Sequence, residues 1–325
     1  MILRTEVQVS RPTEGEMIAE LSQIFGAHSI HLPVGIGDDA AVLPISNSHT
    51  VACADMAVEG VHFKREWSTP HHIGSKLTAA NLADIFAMGA APTYLLVTAA
   101  LPADFTVVEL RELAKGIKSE ADKVGAVVVG GDLSSGAQLA LSITALGTIG
   151  EDRRPILRSG AQIGDRVILS GLTGESAAGL AALTAHRAEE FKEIVEHYKS
   201  PEVNYSMAKS FADAHVNSMI DISDGLLSEA HHLSNSAGVG LRINSSQLRE
   251  MPYFSELERE AKSLGCDIWD WVLTGGEDHV FLATTSSEIP HGAFVIGEVV
   301  PGSGVEVIGV GPRRSTGFTH FSQDK

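Results

Sequence analysis

GSKLTAANLADIFAMGAAPTYLLVTAAL, residues 74–101, passes directly from a helical pattern into a strand pattern. Residues 74–89 predict a helix that closes at Gly89, because glycine is favoured just beyond a helix C-terminus. Residues 93–101 form an apolar run that is typical of a buried strand. Together with the Ala and Val runs and the many Gly turns elsewhere, this pattern favours an α/β (α+β) fold.

The apolar run from Ile85 to Leu101 is not interpreted as a membrane span. It is shorter than the about 20 residues that a spanning helix needs, and Gly89 and Pro92 interrupt it. The formal net charge of -17 argues against a nucleic-acid binder, which needs a basic face, and against binding to an anionic membrane surface. An acidic protein can still bind phosphates if metal cations lie between the two.

The polar, turn-rich segment 150–164 predicts a domain boundary, so we expect one domain at 1–150 and a second at 151–325. In the first domain the patterns predict helices at 14–26 and 106–124, and strands at 50–54, 126–129 and 138–149. In the second they predict strands at 165–171, 218–223, 278–285 and 293–300, and helices at 174–186, 186–204 and 225–237, with 186–204 exposed.

Acidic residues recur at the predicted strand ends and Gly turns. They are Asp38, Asp39, Asp55, Asp132, Asp221, Asp224, Glu277 and Asp278. Asp84 joins them as the only charged residue between Lys76 and Asp104, and an isolated carboxylate is costly to bury unless it is paired or binds a metal. Most of these residues, taken alone, are better explained as turn residues or helix N-caps. Asp84 is the exception, because a lone charge within an apolar helix is unusual. Together they form the oxygen-rich carboxylate set that Mg²⁺ requires.

Several common motifs are absent from the sequence or fail their context test. There is no G-x-x-x-x-G-K-[ST] loop and no protein-kinase signature. GIGDDA at 35–40 fits a dinucleotide-binding fingerprint, but no convincing strand precedes it and its two carboxylates would repel a pyrophosphate. Cys53 and Cys266 form no CxxC, which argues against a zinc site and fits a reducing cytoplasm. The N-terminus shows no apolar signal-peptide region.

Eight segments, taken in order, resemble one known family. They are GIGDDAAVL (35–43), DMAVEGVHF (55–63), NLADIFAMGA (81–90), GGDLSSG (130–136), RSGAQIGD (158–165), IDISDGL (220–226), GGEDH (275–279) and GFTHF (317–321). This ordered set resembles thiamine-monophosphate kinase over almost the whole chain. The resemblance implies ATP- and Mg²⁺-dependent phosphorylation of thiamine monophosphate to thiamine diphosphate by direct phosphoryl transfer. It also implies a two-domain fold like that of aminoimidazole ribonucleotide synthetase, with an N-terminal sheet that pairs across a homodimer and a C-terminal α/β domain.

The resemblance also implies roles for individual residues. The implied magnesium ligands are Asp39, Asp55, Asp84, Asp132, Asp221 and Asp224. The implied ATP contacts are Gly131, Asp132, Arg158 and Ser223, and the implied thiamine monophosphate contacts are His62, Glu277 and Phe318. Asp84, Asp132 and Arg158 are expected to serve catalysis, with Arg158 as a fixed cation on the phosphates. An aromatic ring at 318 suits stacking on the cationic thiazolium ring of the substrate.

The chain departs from the family's pattern at three places. Cys53 and Ala54 stand before Asp55 where the family usually has Ser or Thr, Leu133 follows GGD in place of Thr, and His279-Val280 replace Tyr-Glu. Two alternatives stay open because fold does not fix function. One is another ATP-using enzyme on the same fold, such as a purine-pathway or selenophosphate synthetase, although residues 1–30 lack the Cys expected of the latter. The other is a protein that binds thiamine phosphates without turnover.

Overall fold

The computed structural model describes residues 41–45, 48–313 and 315–318. The predicted helix at 14–26 and the acidic pair Asp38 and Asp39 lie outside the described residues. Within the described ranges, no helix is long and apolar enough to cross a membrane.

The first part of the described chain builds a five-stranded sheet with two helices packed against it. Its elements are β1 (Ala41–Ile45), β2 (Ser48–Val58), α1 (Pro70–Ala87), β3 (Ala91–Leu101), α2 (Val107–Asp122), β4 (Val127–Ser135) and β5 (Ala140–Ile149). The strand order is β1-β2-β5-β3-β4, and only the β3–β4 pair is parallel. Strand β4 therefore lies at one edge of the described sheet, as β1 does at the other.

The second part builds a six-stranded sheet of order β11-β8-β10-β6-β9-β7, in which only the β11–β8 pair is parallel. A short 3-10 turn at Arg158–Gly160 precedes it. Its strands are β6 (Arg166–Leu169), β7 (Ser218–Asp221), β8 (Gly240–Asn244), β9 (Phe281–Thr285), β10 (Phe294–Val300) and β11 (Gly304–Ile308). Its helices are α3 (Glu175–Thr184), α4 (Lys192–Lys199), α5 (Tyr205–Asp213), α6 (Leu226–Ala237), α7 (Ser245–Arg249), α8 (Phe254–Leu264) and α9 (Ile268–Thr274).

Helix α1 has clear start and stop signals. The Thr69 hydroxyl accepts a hydrogen bond from the backbone N–H of His72, and the His72 ring accepts one from the backbone N–H of Thr69. This reciprocal capping satisfies two donors that the helix itself cannot pair. Pro70 suits the first turn, where its missing N–H is not needed. Gly89 has a φ of +72° and ends the helix, as predicted, whereas the start lies four residues before residue 74.

Helix α1 lies between the two sheets and is buried on most of its surface. Leu82 belongs to the apolar core of the first sheet. Ala83 and Ala87 pack instead with Phe211 and Phe281 of the second part of the chain. A helix that is apolar all round is expected to be buried on all sides, so α1 is well placed to carry residues into a site between the sheets.

Three predicted boundaries are wrong. Strand β2 does not end at Asp55 but pairs with β5 as far as Val58. The GGD segment is not a turn, because β4 continues through it to Ser135 in register with β3. In both cases pairing with a neighbouring strand overrides the local turn signal. The exposed helix predicted at 186–204 is shortened to Lys192–Lys199, and one face of it is buried.

The Glu120 carboxylate links α2 to the second part of the chain and is 1% exposed. It accepts hydrogen bonds from the Ser75 hydroxyl at 3.1 Å and from the Tyr205 hydroxyl at 2.7 Å, and the Lys123 ammonium lies 2.7 Å away. Hydrogen bonds to a charged group stabilise a fold by about 1.5–3 kcal/mol each. We therefore expect Glu120 and its partners to help fix α2 against α5.

Replacing Tyr205 by phenylalanine is expected to lower the free energy of unfolding by about 2 kcal/mol, because Glu120 loses a buried donor. Urea denaturation of wild type and variant measures the difference. Tyr94→Phe is the matched control, since the Tyr94 side chain is 51% exposed and an exposed substitution of this kind changes stability by about 0.5 kcal/mol or less. Equal effects of the two substitutions would contradict the role given to the Tyr205 hydroxyl.

Candidate active site between the two sheets

A cavity of about 800 Å³ lies between the two sheets, and residues from both parts of the chain line it. Six of the residues that the resemblance assigned to metal, ATP or substrate are among them: Asp55, His62, Ser223, Asp224, Glu277 and Phe318. The fold thus brings together residues that are far apart in the sequence. We call this space the central cavity.

Three carboxyl groups and one histidine form a cluster beside the central cavity. Asp84 shares a hydrogen bond with Asp55, and the charge of Asp221 acts on Asp55. Asp221 is buried, and its Oδ2 lies 3.0 Å from Nδ1 of His279. Burial raises the pKa of Asp55 and Asp221 raises it further, although His279 and the Asp84 hydrogen bond act in the opposite direction. These four residues, Asp55, Asp84, Asp221 and His279, are the acidic cluster.

Helix α1 fixes the edge of β2 at Asp55. The side-chain oxygen of Asn81 accepts a hydrogen bond from the Asp55 backbone N–H at 3.2 Å, and the Asn81 amide donates to the Leu77 carbonyl at 2.9 Å. Because side chains alternate along a strand, Cys53 shares the face of Asp55, whereas Ala54 lies on the other face and is exposed. Of the two departures before Asp55, only Cys53 therefore borders the acidic cluster.

The Cys53 thiol stays protonated in this setting. Burial raises its pKa well above the ordinary value, and the charges of Asp84 and Asp55 raise it further. A thiol in that state is a poor nucleophile and a poor metal ligand. We therefore interpret Cys53 as a small half-buried side chain that fills space beside the carboxyl groups.

The GGEDH segment lies directly along the segment that follows β7. The backbone N–H of Glu277 donates to the Ser223 carbonyl at 2.7 Å, and that of His279 donates to the Ile222 carbonyl at 3.0 Å. A Cβ on Gly276 would stand 2.2 Å from the Ser223 carbonyl oxygen, so only glycine allows this approach. Glu277 and His279 both have positive φ, at 66° and 51°. Such strain is unusual in residues with side chains and is concentrated at functional sites.

Two further predicted substrate contacts are also fixed by backbone hydrogen bonds. The backbone N–H of Phe318 donates to the Asp224 carbonyl at 3.0 Å, which places its ring at the cavity wall. Nδ1 of His62 accepts the Val58 N–H at 3.0 Å, so a neutral ring carries its proton on Nε2. His62 is thus bonded to β2, the strand that carries Asp55, and Phe318 is bonded to the backbone of Asp224. Asp55 and Asp224 are both predicted metal ligands.

Gly131, Asp132 and Arg158 do not line the central cavity, although all three are among the described residues. Asp55 pairs with Ile143 of β5, Ile143 pairs with Val97 of β3, and Val97 pairs with Gly131 of β4. These four residues therefore form one row across the sheet. Asp132 lies in the next row, which also contains Met56 of β2. Because successive residues of a strand face opposite sides of the sheet, the row of Asp132 faces the side opposite to that of Asp55. Three strand spacings separate β2 from β4, which is about 14 Å. Asp132 therefore lies away from the acidic cluster within one chain, and its role stays a prediction.

Glu229 is a buried acidic residue that the sequence patterns did not single out. One of its oxygens accepts the Asp224 backbone N–H at 3.3 Å. The other is buried and has no hydrogen-bond partner among the described residues. Burial, with the charges of Asp224 and Asp221, raises the pKa of Glu229 well above its ordinary value. Glu229 is thus a further buried carboxyl group on which the charges of Asp221 and Asp224 act.

Three other site residues were missed or undervalued. His279 was noted only as a departure from the family pattern, yet it bonds Asp221 directly. Lys76 and Tyr198 both line the cavity. The sequence contained a usable indication for Lys76, because this charged residue is as isolated in its apolar helix as Asp84 is. Tyr198 carried none, since it lies in a segment whose charge pattern predicted exposure.

His197, which lies close to Asp278 of the GGEDH segment, gives the fold a measurable pH dependence of stability. Its Nδ1 lies 3.1 Å from Glu175, and its Nε2 lies 3.5 Å from Asp278, which is longer than a normal hydrogen bond. Burial lowers the pKa of His197, but Asp278 and Glu175 together raise it above the ordinary 6.5. A raised pKa means that the protonated ring stabilises the fold fully below about pH 6.5 and loses that contribution as pH rises through the folded-state pKa.

We expect His197→Gln to destabilise the protein most below about pH 6.5 and progressively less as the pH rises through the folded-state pKa of His197. Urea denaturation of both proteins across about pH 6 to pH 9 measures the difference in the free energy of unfolding. A difference that stays constant over that range would show that the His197 charge contributes nothing.

Comparisons with known proteins identify the family of the chain. The family model "AIR synthase related protein, N-terminal domain" matches residues 37–149, and the corresponding C-terminal domain model matches residues 162–310. The thiamine-monophosphate kinase of Mycobacterium tuberculosis H37Rv is 39% identical over 269 residues, which cover 83% of this chain and 80% of that protein. The chain belongs to the thiamine-monophosphate kinase family.

Solved structures of thiamine-monophosphate kinases share the whole fold. The crystal structure of the enzyme from Aquifex aeolicus matches with a TM-score of 0.79 at 29% identity, covering 91% of this chain and 98% of that one. A structure described as AaThiL complexed with AMPPCP and TMP matches with a TM-score of 0.84 at 27% identity, covering 96% and 99%. The resemblance and the two-part α/β fold inferred from the sequence are confirmed.

Proposed function

We propose that this chain transfers the γ-phosphoryl group of ATP to the phosphate of thiamine monophosphate, which yields thiamine diphosphate and ADP. The observation that carries the proposal is the central cavity itself. One space is lined both by Asp55 and Asp224, which suit a metal–phosphate site, and by Glu277 and Phe318, which suit a cationic heterocycle. Family membership at 39% identity and the matching structure described with AMPPCP and TMP support it.

The wall formed by Glu277, Tyr198 and Phe318 fits the organic part of thiamine monophosphate. A thiazolium ring is cationic, so it is attracted by a carboxylate and by the face of an aromatic ring. The Glu277 side chain is 36% exposed in the cavity, and the Phe318 residue is 40% exposed. Both groups can therefore reach a ligand while their backbones are held by hydrogen bonds.

The residues on the other side of the cavity fit magnesium. Asp55 has a raised pKa because it is buried near Asp221, and one buried oxygen of Glu229 has no hydrogen-bond partner within the described part of the chain. Carboxyl groups that are buried close together favour a bound cation. The implied ligands are Asp39, Asp55, Asp84, Asp132, Asp221 and Asp224. Bound Mg²⁺ would offset phosphate charge during transfer.

No group of three or more His, Cys, Asp or Glu side chains is arranged to hold a metal among the residues that the structure describes. Asp39 lies outside those residues, and Asp132 lies in another row of the sheet. Mg²⁺ also commonly takes ligands from water and from substrate phosphates in addition to one or two carboxylates. We therefore propose that the metal site is completed when nucleotide binds.

Transfer requires alignment of the two phosphates rather than a proton acceptor. A bond forms between an oxygen of the acceptor phosphate and the γ-phosphorus while the bond to the β-phosphate oxygen breaks. The acceptor oxygen is already ionised, because the second pKa of a phosphate monoester is about 6. The protein's task is to position both groups. We assign Ser223, which lines the central cavity, to the ATP phosphates, and we add Arg158, which lies outside that lining, on the resemblance alone.

We further propose that residues 1–150 bind ATP and metal and form a homodimer, with 151–325 as the C-terminal domain. The exposed edge strand β4 supports the dimer. Four of its apolar side chains are between 43% and 59% exposed: Val127, Val128, Val129 and Leu133. An exposed apolar edge strand is normally covered by another chain or element. If a second copy of the chain covers β4, it would also contact Gly131 and Asp132, which lie on that strand. The cytoplasmic location stays a prediction.

A coupled kinase assay tests the function. Purified full-length protein is supplied with ATP, Mg²⁺ and thiamine monophosphate, and ADP release is followed. Thiamine and the substrates of the aminoimidazole pathway serve as controls. Activity with thiamine monophosphate alone supports the proposal. Silence at high enzyme concentration would contradict it and favour the binder without turnover, whereas activity on another control would favour a different enzyme of this fold.

A further inference from the structure

Lys76 is a buried cation of the central cavity whose partner is itself a proposed substrate contact. Its ammonium donates hydrogen bonds to the Glu277 carboxylate and to the Tyr198 backbone carbonyl, each at 2.8 Å. It also lies 3.9 Å from the centroid of the Tyr198 ring. The Lys76 side chain is only 13% exposed. The ammonium thus occupies the position where a carboxylate and an aromatic face would receive a ligand cation.

The other cavity-lining lysines among the described residues are placed differently. Lys64 is 48% exposed and lies over the Trp67 ring at 4.1 Å. Lys199 is paired at 2.8 Å with Glu196, which does not line the cavity. In the part of the chain that the structure describes, Glu277, the partner of Lys76, is the one acidic partner of these three lysines that lines the cavity. A ligand cation that binds Glu277 therefore changes the surroundings of Lys76.

Lys76 also lies on the helix that carries Asp84 of the acidic cluster. It stands eight residues before Asp84 on α1, a rise of about 12 Å along the helix. Burial lowers the pKa of His279, Asp221 and Glu277 raise it above its ordinary value, and the Lys76 charge acts with burial against them. A substrate whose cation binds the Glu277 carboxylate therefore lies close to the Lys76 ammonium, which is 2.8 Å from that carboxylate.

We infer that Lys76 is the residue that selects the phosphorylated substrate, by exchanging Glu277 for the substrate's own phosphate. The inference rests on the function proposed above. Thiamine monophosphate brings both charges: its thiazolium cation takes the Glu277 carboxylate, and its phosphate, at about −1.5 to −2, takes the Lys76 ammonium. Neither the Glu277 carboxylate nor the Lys76 ammonium is then left without a counter-ion. The phosphorylated compound can therefore complete the exchange.

Unphosphorylated thiamine cannot complete the exchange. Its cation would compete for Glu277 and leave the Lys76 ammonium buried without a counter-ion. An unpaired buried charge is strongly unfavourable, and a site can reject a competing ligand through such an unpaired group. The Lys76–Glu277 pair thereby disfavours thiamine and admits thiamine monophosphate.

Calorimetric titration of the full-length protein with thiamine monophosphate and with thiamine, in magnesium buffer without ATP, tests the inference. Lys76→Met removes the charge at similar length, and Lys76→Arg retains it. Lys192→Met is the matched control, because Lys192 lies on α4 with a side chain 70% exposed and away from the cavity. Thermal melting of each variant verifies that it is folded.

Wild type is expected to bind thiamine monophosphate more tightly than thiamine. Lys76→Met should weaken thiamine monophosphate binding roughly 10- to 100-fold, the equivalent of one charge-assisted hydrogen bond. Its thiamine binding should stay the same or improve, Lys76→Arg should retain most of the preference, and Lys192→Met should match wild type. The ratio of the two affinities is the decisive quantity, since a purely structural role of Lys76 would leave it unchanged.

Two results would overturn the inference while leaving the proposed function intact. One is an equal loss of both affinities in Lys76→Met, which would mean that Lys76 only holds Glu277 in place. The other is a folded Lys76→Met variant with the wild-type preference. A wild-type protein that does not bind thiamine monophosphate at all would instead contradict the proposed function itself.

Discussion

Replacing Asp84 by asparagine is expected to lower the turnover number roughly 10³-fold, while the protein stays folded. The substitution keeps the size of the side chain and removes its charge. Asp84 shares a hydrogen bond with Asp55, so its loss changes the charge of the acidic cluster where phosphate charge must be offset. Loss of metal-mediated charge stabilisation costs several kcal/mol of transition-state free energy, and about 4 kcal/mol corresponds to this reduction.

Turnover of Asp84→Asn is measured at saturating ATP, Mg²⁺ and thiamine monophosphate, and its melting temperature is compared with that of wild type. Asp213→Asn is the matched control, because Asp213 lies at the end of α5 and pairs with Arg153 at the surface at 2.5 Å. That variant should retain wild-type turnover. Wild-type turnover in Asp84→Asn would show that Asp84 is a structural residue and would remove it from the metal site.

Replacing Asp278 by alanine is expected to lower the free energy of unfolding by about 3 kcal/mol. Helix α3 begins at Gly174, which has no side chain to cap it. Asp278 supplies the cap from across the fold, accepting the backbone N–H groups of Gly174 at 2.6 Å and Ser176 at 2.8 Å. Asp278 is 2% exposed. Its removal leaves two buried donors unpaired, and each such group costs about 1–3 kcal/mol.

Asp267→Ala provides the comparison for Asp278→Ala. Asp267 also caps a helix, accepting the Trp269 N–H at 3.0 Å, but its side chain is 49% exposed. Water can replace a lost exposed cap, so we expect a loss of about 1 kcal/mol. Urea denaturation of both variants measures the difference. Equal losses would show that the buried position of Asp278 adds nothing to its capping role.

The sequence predicted the elements around the site better than those beyond it. Residues 74–101 gave the central helix and β3 correctly, because apolar periodicity and Gly89 agree there. The patterns missed α8, although its apolar and charged residues alternate at helical spacing. They also missed β11, whose parallel pairing with β8 is a long-range contact that no local pattern contains.

Several of the residues around the central cavity were predictable from the sequence, whereas the contacts between them were not. The isolation of Asp84 and the repeated Asp-rich turns pointed to the carboxylates, and the fold gathers Asp55, Asp84 and Asp221 beside one cavity. The bond from His279 to Asp221 depends on the strained GGEDH backbone. The position of Asp132 depends on strand register, and a shift of one residue turns a side chain to the other face.

The most direct test of the account is the phosphorus balance of the reaction. Purified protein is incubated with ATP, Mg²⁺ and thiamine monophosphate, and all products are quantified by ³¹P NMR. Direct transfer predicts thiamine diphosphate and ADP in equal amounts, with no AMP and no inorganic phosphate formed alongside them. Formation of AMP, or of ADP with inorganic phosphate and no thiamine diphosphate, would contradict it.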